Sequence, residues 1–226
     1  MKFYKRKKVI ITGGAGGLGR ELVKMLHNFG SDVTSIVSNT SDTTDLQGDI
    51  FRCDFNNISA VTELTKNDIF NNVDILINCA GIFPIKTLEE TSIEEFDKIL
   101  NINLKTPFVL TKRCIKTMKD KTAGLIVNIG SSSSYNGSPT SGGYCVSKHG
   151  LLGLTRSLHK ELKKYNIRAL IFSPGSIKTK MGKTDTSQDF ETFLDPVEIA
   201  EYILFCCKFQ NEMFIDESRM NRMSVL

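Results

Sequence analysis

The chain has 226 residues, of which 40% are hydrophobic and 24% charged, with a formal net charge of +4. This length and balance fit one globular domain and exclude collagen-like, low-complexity and disordered chains. No apolar run approaches the ~20 residues that cross a bilayer, and a small excess of basic residues is a weak signature for a nucleic-acid partner, so neither a membrane nor a nucleic acid is expected. Much of the excess lies in Lys2, Lys5, Arg6, Lys7 and Lys8, and residues 1–7 read as a solvated basic leader. The apolar stretch that follows, Val9-Ile10-Ile11, is too short for a secretory signal. A cytoplasmic, reducing location is therefore expected, with the six cysteines as free thiols. None forms a C-x-x-C pair, so no metal site is predicted, and Cys206 and Cys207 read as packing residues in an apolar stretch.

In chain order, Lys8–Thr12 is a β-rich run that ends in glycines. Leu22, Val23, Leu26 and Phe29 have helical spacing, with Gly30 as the stop. Strands are predicted over Asp32–Val37, Ile50–Cys53 and Val73–Asn78, and Ser38–Asp45 reads as a loop. Ser92-Ile-Glu-Glu95 is a capping box that opens a long helical region to about Lys119, with a break expected near Pro107. Leu125–Ile129 is a strand, Tyr144–Lys164 a helix and Arg168–Phe172 a strand. Asp195-Pro-Val-Glu198 starts another helix, and Glu212–Ile215 is the candidate last strand. Strands alternating with helices imply βαβ units, and hence a single-domain, doubly wound α/β fold: a parallel sheet with helices on both faces. In such folds ligands bind beyond the carboxyl ends of the strands.

Thr12-Gly-Gly-Ala-Gly-Gly-Leu-Gly19 occupies such an end, between a strand and a helix. Glycines let backbone approach a phosphate, and a helix N-terminus offers free N–H groups. Gly14-x-Gly16-x-x-Gly19 matches a Rossmann dinucleotide fingerprint, whereas Thr12-Gly13-x-x-x-Gly17-x-Gly19 is a second possible spacing. Arg20-Glu21 stand where a nucleotide-triphosphate loop needs Lys-Ser/Thr, which rejects that reading.

Tyr144 and Lys148 lie four residues apart on a predicted helix, with Cβ atoms expected ~5–6 Å apart. The same pair is compatible with a solvated helix face. Acid–base work near neutrality needs the phenol shifted by about 3 units from its ordinary value near 10. One charge at about 5 Å and an effective dielectric of ~20 supplies about 3 kcal/mol. Lys148 is thus expected to provide most of the shift. Ser131 lies just beyond the strand Leu125–Ile129, again at a carboxyl end.

The glycine loop, Asn78-Cys-Ala-Gly81, Asn103, Ser131, Tyr144-x-x-x-Lys148 and Pro174-Gly175 occur in the order seen in short-chain dehydrogenases/reductases, and the chain resembles that family from Lys8 to about Met223. The resemblance implies a single NAD(P)-binding catalytic domain over residues 1–226. It implies hydride transfer between a nicotinamide and a small carbonyl or alcohol substrate. Tyr144 would donate or accept the proton, Ser131 would hold the substrate oxygen, and Lys148 would tune the phenol and bind the nicotinamide ribose. A bound oxidised nicotinamide would complete the phenol's shift. Asn103, rather than Asn101, would help hold a relay water; a helix bend that frees a carbonyl is the bland alternative. The cofactor-facing positions implied are Thr12, Gly13, Gly17, Leu18, Gly19, Ser38, Asp54, Phe55, Asn78, Ala80, Gly81, Tyr144, Lys148, Pro174, Gly175, Ile177 and Thr179. Asp54 would hold the adenine amino group, with a strand-end turn as its competitor.

Departures from the family pattern are Cys79 in place of a second asparagine and Val146 in place of the usual alanine. His149 is expected to face away from the site, since adjacent residues do not share a helix face. No carboxylate stands at Val37-Ser38-Asn39 to hold a ribose 2′-hydroxyl, and no basic residue is apparent there or at Gly16. The cofactor expectation is NAD(P) with a lean to NADP(H), with Ser38 and Asn39 as polar contacts. Residues 180–194 form a short substrate lid, and Ser132, Ser133, Tyr135 and Pro139 line the other wall. A homodimer or tetramer is implied by the resemblance. The competing functions are a dinucleotide-sensing module without turnover, and an epimerase or dehydratase on the same fold.

Overall fold

The structure, a computed structural model, describes residues 1–209 and 212–223. Among the described residues seven parallel strands form one sheet: β1 (Lys8–Thr12), β2 (Asp32–Val37), β3 (Asp49–Arg52), β4 (Ile75–Asn78), β5 (Gly124–Ile129), β6 (Ile167–Pro174) and β7 (Glu217–Met220). Their order is β3-β2-β1-β4-β5-β6-β7, so the winding reverses between β1 and β4. Strand alternation divides the core between two faces. Val9, Ile11, Ile77, Val127 and Phe172 point to α1 (Gly17–Asn28) and α6 (Pro196–Cys207). Ile10, Leu76, Ile126 and Ala169 point to the other face, which carries α4 (Thr106–Lys121) and α5 (Gly142–Leu162). The register sets Thr12 beside Asn78, Asn78 beside Asn128 and Ile129 beside Phe172, which aligns the carboxyl ends into one cleft floor.

Three expectations change, and a fourth is located more closely. The break expected near Pro107 falls just before it. Helix α3 (Ile93–Leu100) runs into a wide π turn at Asn101–Lys105, and Pro107 sits in the first turn of α4, where its missing N–H is tolerated. In an unbroken α-helix that N–H would serve the Asn103 carbonyl. The last strand is Glu217–Met220 rather than Glu212–Ile215; Phe214 and Ile215 pack against the core instead. The basic leader is not wholly solvated: Tyr4 is 0% exposed and its hydroxyl donates to the Leu204 carbonyl at 2.6 Å, while Lys2, Lys5 and Arg6 remain outside. A short helix not predicted, α2 (Ile58–Leu64), is capped by Asn57, whose side chain accepts from the Ala60 N–H. Cys206 and Cys207 are buried, as the packing reading expected, and all six thiols are free.

Candidate active site

The two glycine spacings are distinguished by crowding. A Cβ on Gly13 would lie 2.8 Å from Ala80 Cα, one on Gly17 2.4 Å from Thr179 Cγ2, and one on Gly19 2.1 Å from the Gly13 oxygen. Gly16 would meet only the Gly13 oxygen, at 3.2 Å. The tight positions are therefore those of Thr12-Gly13-x-x-x-Gly17-x-Gly19, with Gly14 also pressed on Ser35. Gly13 adopts φ +71°, which only glycine reaches without strain, and its N–H donates to the Ile36 carbonyl at 2.8 Å. Helix α1 then starts with no side-chain cap and no acid in its first turn. Its free N–H groups and positive dipole end make a site for an anion. The Leu18 side chain is in the core, so only its backbone faces this loop.

Thr12 and Asn78 lie beneath the cleft. Thr12 Oγ1 accepts from the Cys79 and Ala80 N–H groups, both at 3.1 Å, and ties the end of β1 to the end of β4. Asn78 is 2% exposed, and its Nδ2 donates to Asn128 Oδ1 at 2.8 Å and to Thr111 at 3.3 Å. Its Oδ1 is buried with no protein partner. Both side chains thus support the floor and do not project into the cleft. Phe55 is buried in the core, with its carbonyl held by Thr106 at 3.1 Å. Asp54 is exposed and accepts from the Asn56 N–H at 2.9 Å, the strand-end turn named as its competing reading. Asn103 is 1% exposed. Its Oδ1 accepts from the Ile82 N–H at 2.9 Å, and its Nδ2 donates to the Ile82 carbonyl at 3.0 Å and Ser147 Oγ at 3.1 Å. Asn103 therefore clamps the chain just after Gly81, while Asn101 binds Asn56 at the surface.

Ser131, Tyr144 and Lys148 meet above β5. Ser131 Oγ accepts from the Ser133 N–H at 3.1 Å, which uses a lone pair and leaves its hydroxyl hydrogen to donate. Phe83 packs edge-on against the Tyr144 ring at 4.7 Å. Lys148 is 5% exposed, and its Nζ lies 5.6 Å from the Tyr144 ring centre and donates to the Ile129 carbonyl at 2.8 Å. Asn103 Oδ1 and Lys148 Nζ both border the space beside Gly81, 3.3 and 3.8 Å from a Cβ built there.

The expected depression of the phenol by Lys148 is not present. Burial pushes the Tyr144 phenol up to about 12, and the Ser131 hydroxyl pulls in the opposite direction. Burial also pulls Lys148 from 10.5 down to about 8. Desolvation is the leading cause for both groups, and the four-residue spacing did not contain it. A lysine whose folded pKa is depressed binds fewer protons folded than unfolded, so its contribution to stability rises with pH between about 8 and 10.5. The difference in unfolding free energy between wild type and Lys148→Met, from urea titrations, should rise by about 2 kcal/mol across that window. A flat difference would contradict the burial of a charged Lys148.

The turn after β6 completes the cleft. The Gly175 N–H donates to the Met220 carbonyl at 2.8 Å, and Ile177 bridges to Leu194. Thr179 sits over Gly17 and accepts from the Gly182 N–H at 3.1 Å. Residues 180–194 fold as two short 3-10 turns against this segment, with Ser176 Oγ donating to Gln188 at 3.2 Å. His149 is exposed, its ring bonded to the Cys145 carbonyl of its own helix, as expected for a residue turned away. The Cys79 thiol is pushed up to about 12 by burial. Among the described residues no cluster suited to a metal ion is present.

Sequence reasoning missed the basic groups at the end of β2. Val37 pairs with Arg52 across β2 and β3, so Arg52 reaches the following loop. Its guanidinium donates to the carbonyls of Ser38, Asn39 and Ser41 at 3.2, 3.0 and 3.1 Å. Arg20, in the first turns of α1, donates to the Asp42 and Thr44 carbonyls of the same loop at 2.5 and 2.7 Å. Ser38 Oγ lies 2.8 Å from Ser41 Oγ. The readable signal was the sheet register, which is not a local spacing.

A family model described as short chain dehydrogenase matches residues 7–189. The chain belongs to the short-chain dehydrogenase family. It is 32% identical over 206 residues to the 3-oxoacyl-acyl-carrier-protein reductase FabG of Rickettsia typhi, covering 88% of this chain and 84% of that protein. A solved short chain dehydrogenase/reductase family protein superposes with a TM-score of 0.87 at 23% identity, covering 98% of this chain and 97% of the other. A 4-hydroxyisoleucine dehydrogenase solved with NADH superposes at 0.83 with 27% identity, covering 96% and 97%. As a short-chain dehydrogenase, the chain is an NAD(P)-dependent oxidoreductase acting between a carbonyl and an alcohol. The residues present fit a dinucleotide: the crowded glycines leave backbone bare at an uncapped helix end, beside Ser131, Tyr144 and Lys148.

Proposed function

We propose that Tyr144 is the proton donor to the substrate oxygen in the reductive direction and the acceptor in reverse. A bound NAD(P)H supplies the hydride. The observation that carries this reading is Lys148 Nζ held 5.6 Å from the Tyr144 ring centre by the Ile129 carbonyl, beside Gly81 and at the strand end that Ser131 follows. A phenol held near 12 is neutral at ordinary pH, the form that a donor needs. Ser131, its lone pair engaged by the Ser133 N–H, donates to the same oxygen and orients it. Lys148 stands beside Gly81 with Nζ hydrogens left over from its bond to Ile129, suited to ribose hydroxyls and to the charge left on the Tyr144 oxygen once its proton is given up. Asn103 acts through its clamp on Ile82, which fixes the Ala80-Gly81 wall against Lys148.

Gly13, Gly17, Leu18 and Gly19 offer backbone to the pyrophosphate, with Thr12 and Asn78 bracing that wall from below. Asp54 and Phe55 border the adenine end. Pro174, Gly175, Ile177 and Thr179 hold the nicotinamide side. NADP(H) is the favoured cofactor: Ser38 lies where a ribose 2′ group would sit, and Arg20 and Arg52 bring two positive charges to that loop against the Asp42 carboxylate beside Arg20. Arg52→Gln is expected to weaken NADPH binding about tenfold and NADH binding by less than about twofold, read by fluorescence titration. Equal losses for both dinucleotides would contradict a 2′-phosphate contact.

The substrate is a small carbonyl or alcohol compound. β-Keto thioesters head the panel because of the Rickettsia relative's name, with diketones and keto acids beside them. A homo-oligomer is proposed through the outer face of α4 and α5, where Phe108 and Val146 are half exposed and Phe108 lines an apolar groove with Leu104 and Leu154. A reducing, cytoplasmic location suits the free thiols. Assay of NADPH and NADH oxidation across that panel tests the reading, and saturable turnover with at least one carbonyl is expected.

A further inference from the structure

The last strand holds a cluster outside the residues that match the family model, and its effect reaches Ser131. The 3-10 turn Ser132–Ser134 has Ser131 at one end and Tyr135 at the other. The Ser131 end is fixed by a reciprocal pair: Ser131 Oγ accepts from the Ser133 N–H, and the Ser131 N–H donates to the buried Ser134 Oγ at 3.1 Å. The Tyr135 end is fixed from β7. Its hydroxyl donates to Glu217 Oε2 at 3.0 Å, and Arg219 Cζ sits over its ring, 3.4 Å from the ring centre. Glu217 in turn accepts two bonds from Arg156, at 2.6 and 3.0 Å. Arg156 belongs to α5, the helix that carries Tyr144 and Lys148.

These contacts run from α5 through Arg156, Glu217, Tyr135 and the serine turn to Ser131, and the turn itself packs back on α5, the helix that carries Tyr144. We propose that Glu217 is a positioning residue that fixes the distance between Ser131 and Tyr144 by locking the serine turn to α5. An isolated surface ion pair would have little such power. Here the pair is two-pronged, it shares its acceptor with a phenol, and Arg219 sits over that phenol's ring, so several groups must move together. The proposal rests on Ser131 and Tyr144 acting as described above. The residues that do the locking come from β7, the strand whose polar composition hid it from sequence reading.

The test is a double-mutant cycle on the full chain, with NADPH and the best carbonyl of the panel. Glu217→Gln should lower kcat about tenfold through loss of alignment, with the Kd for NADPH within about twofold of wild type. In a Ser131→Ala background the same change should cost less than about twofold, because no hydroxyl remains to misplace. Tyr135→Phe keeps the ring beneath Arg219 and should lower kcat in the same Ser131-dependent way; it carries the test if Glu217→Gln does not fold. Wild-type kcat in both variants, or a tenfold loss repeated in the Ser131→Ala background, overturns the positioning role while leaving the catalytic reading intact. Undiminished turnover in Ser131→Ala and Tyr144→Phe themselves would overturn both.

Discussion

Tyr144→Phe is expected to lower kcat/KM about a thousandfold while leaving NADPH affinity within a few-fold of wild type. Proton transfer by a placed side chain is worth about 10²–10⁴ in rate, and a thousandfold loss corresponds to about 4 kcal/mol. The substitution removes one oxygen. The ring that packs edge-on against Phe83 is retained, so the helix and its neighbours should be undisturbed. The loss should therefore appear in kcat, with the unfolding midpoint unchanged. Steady-state assays of both proteins on one batch of substrate give the answer. A variant within about fivefold of wild type would remove Tyr144 from the proton path and leave Ser131 or a water as the donor.

The second large effect lies in the glycine loop. Gly19→Ala is expected to weaken NADPH and NADH alike by more than about a hundredfold, close to 3 kcal/mol. An added Cβ would lie 2.1 Å from the Gly13 oxygen and 3.0 Å from Gly14 Cα, and both obstacles are backbone. The loop must open to admit it, which moves the N–H groups at the start of α1 away from a pyrophosphate. Gly16→Ala is the matched control. Its Cβ meets one atom, at 3.2 Å, and Gly16 has φ −79°, a value alanine adopts freely. Binding titrations with circular dichroism separate loss of affinity from loss of fold. Similar affinities for the two variants would mean that the phosphates do not use this loop.

The parts of the molecule that were legible in the sequence are those set by local spacing. The glycine run between a strand and a helix, Ser131 at a strand end and Tyr144 four residues before Lys148 are each contained in one strand–turn–helix unit. The alternation of apolar runs carried the doubly wound sheet in the same way. What escaped depends on contacts between distant segments. Arg52 reaches the Ser38 loop only because β3 pairs with β2 in a register that opposes Val37. The direction of the Tyr144 shift was misread because desolvation is a property of the closed cleft, whereas the charge of Lys148 is visible in its name. Strand β7 is polar, Glu-Ser-Arg-Met, and takes its strand form from pairing with β6, while the more apolar Phe214 and Ile215 drew attention upstream. Tyr4 was hidden among lysines, although its ring is fully buried.

The most direct test of an NAD(P)H-dependent carbonyl reductase follows the hydride itself. Wild-type protein is supplied with NADPH deuterated at nicotinamide C4 and with each carbonyl of the panel, and the alcohol products are read by mass spectrometry. The expected result is one deuterium on the new carbinol carbon of at least one product, delivered by wild type and all but absent with Tyr144→Phe. Tight NADPH binding with no labelled alcohol from any carbonyl would contradict the account and point to a dinucleotide sensor on the same fold.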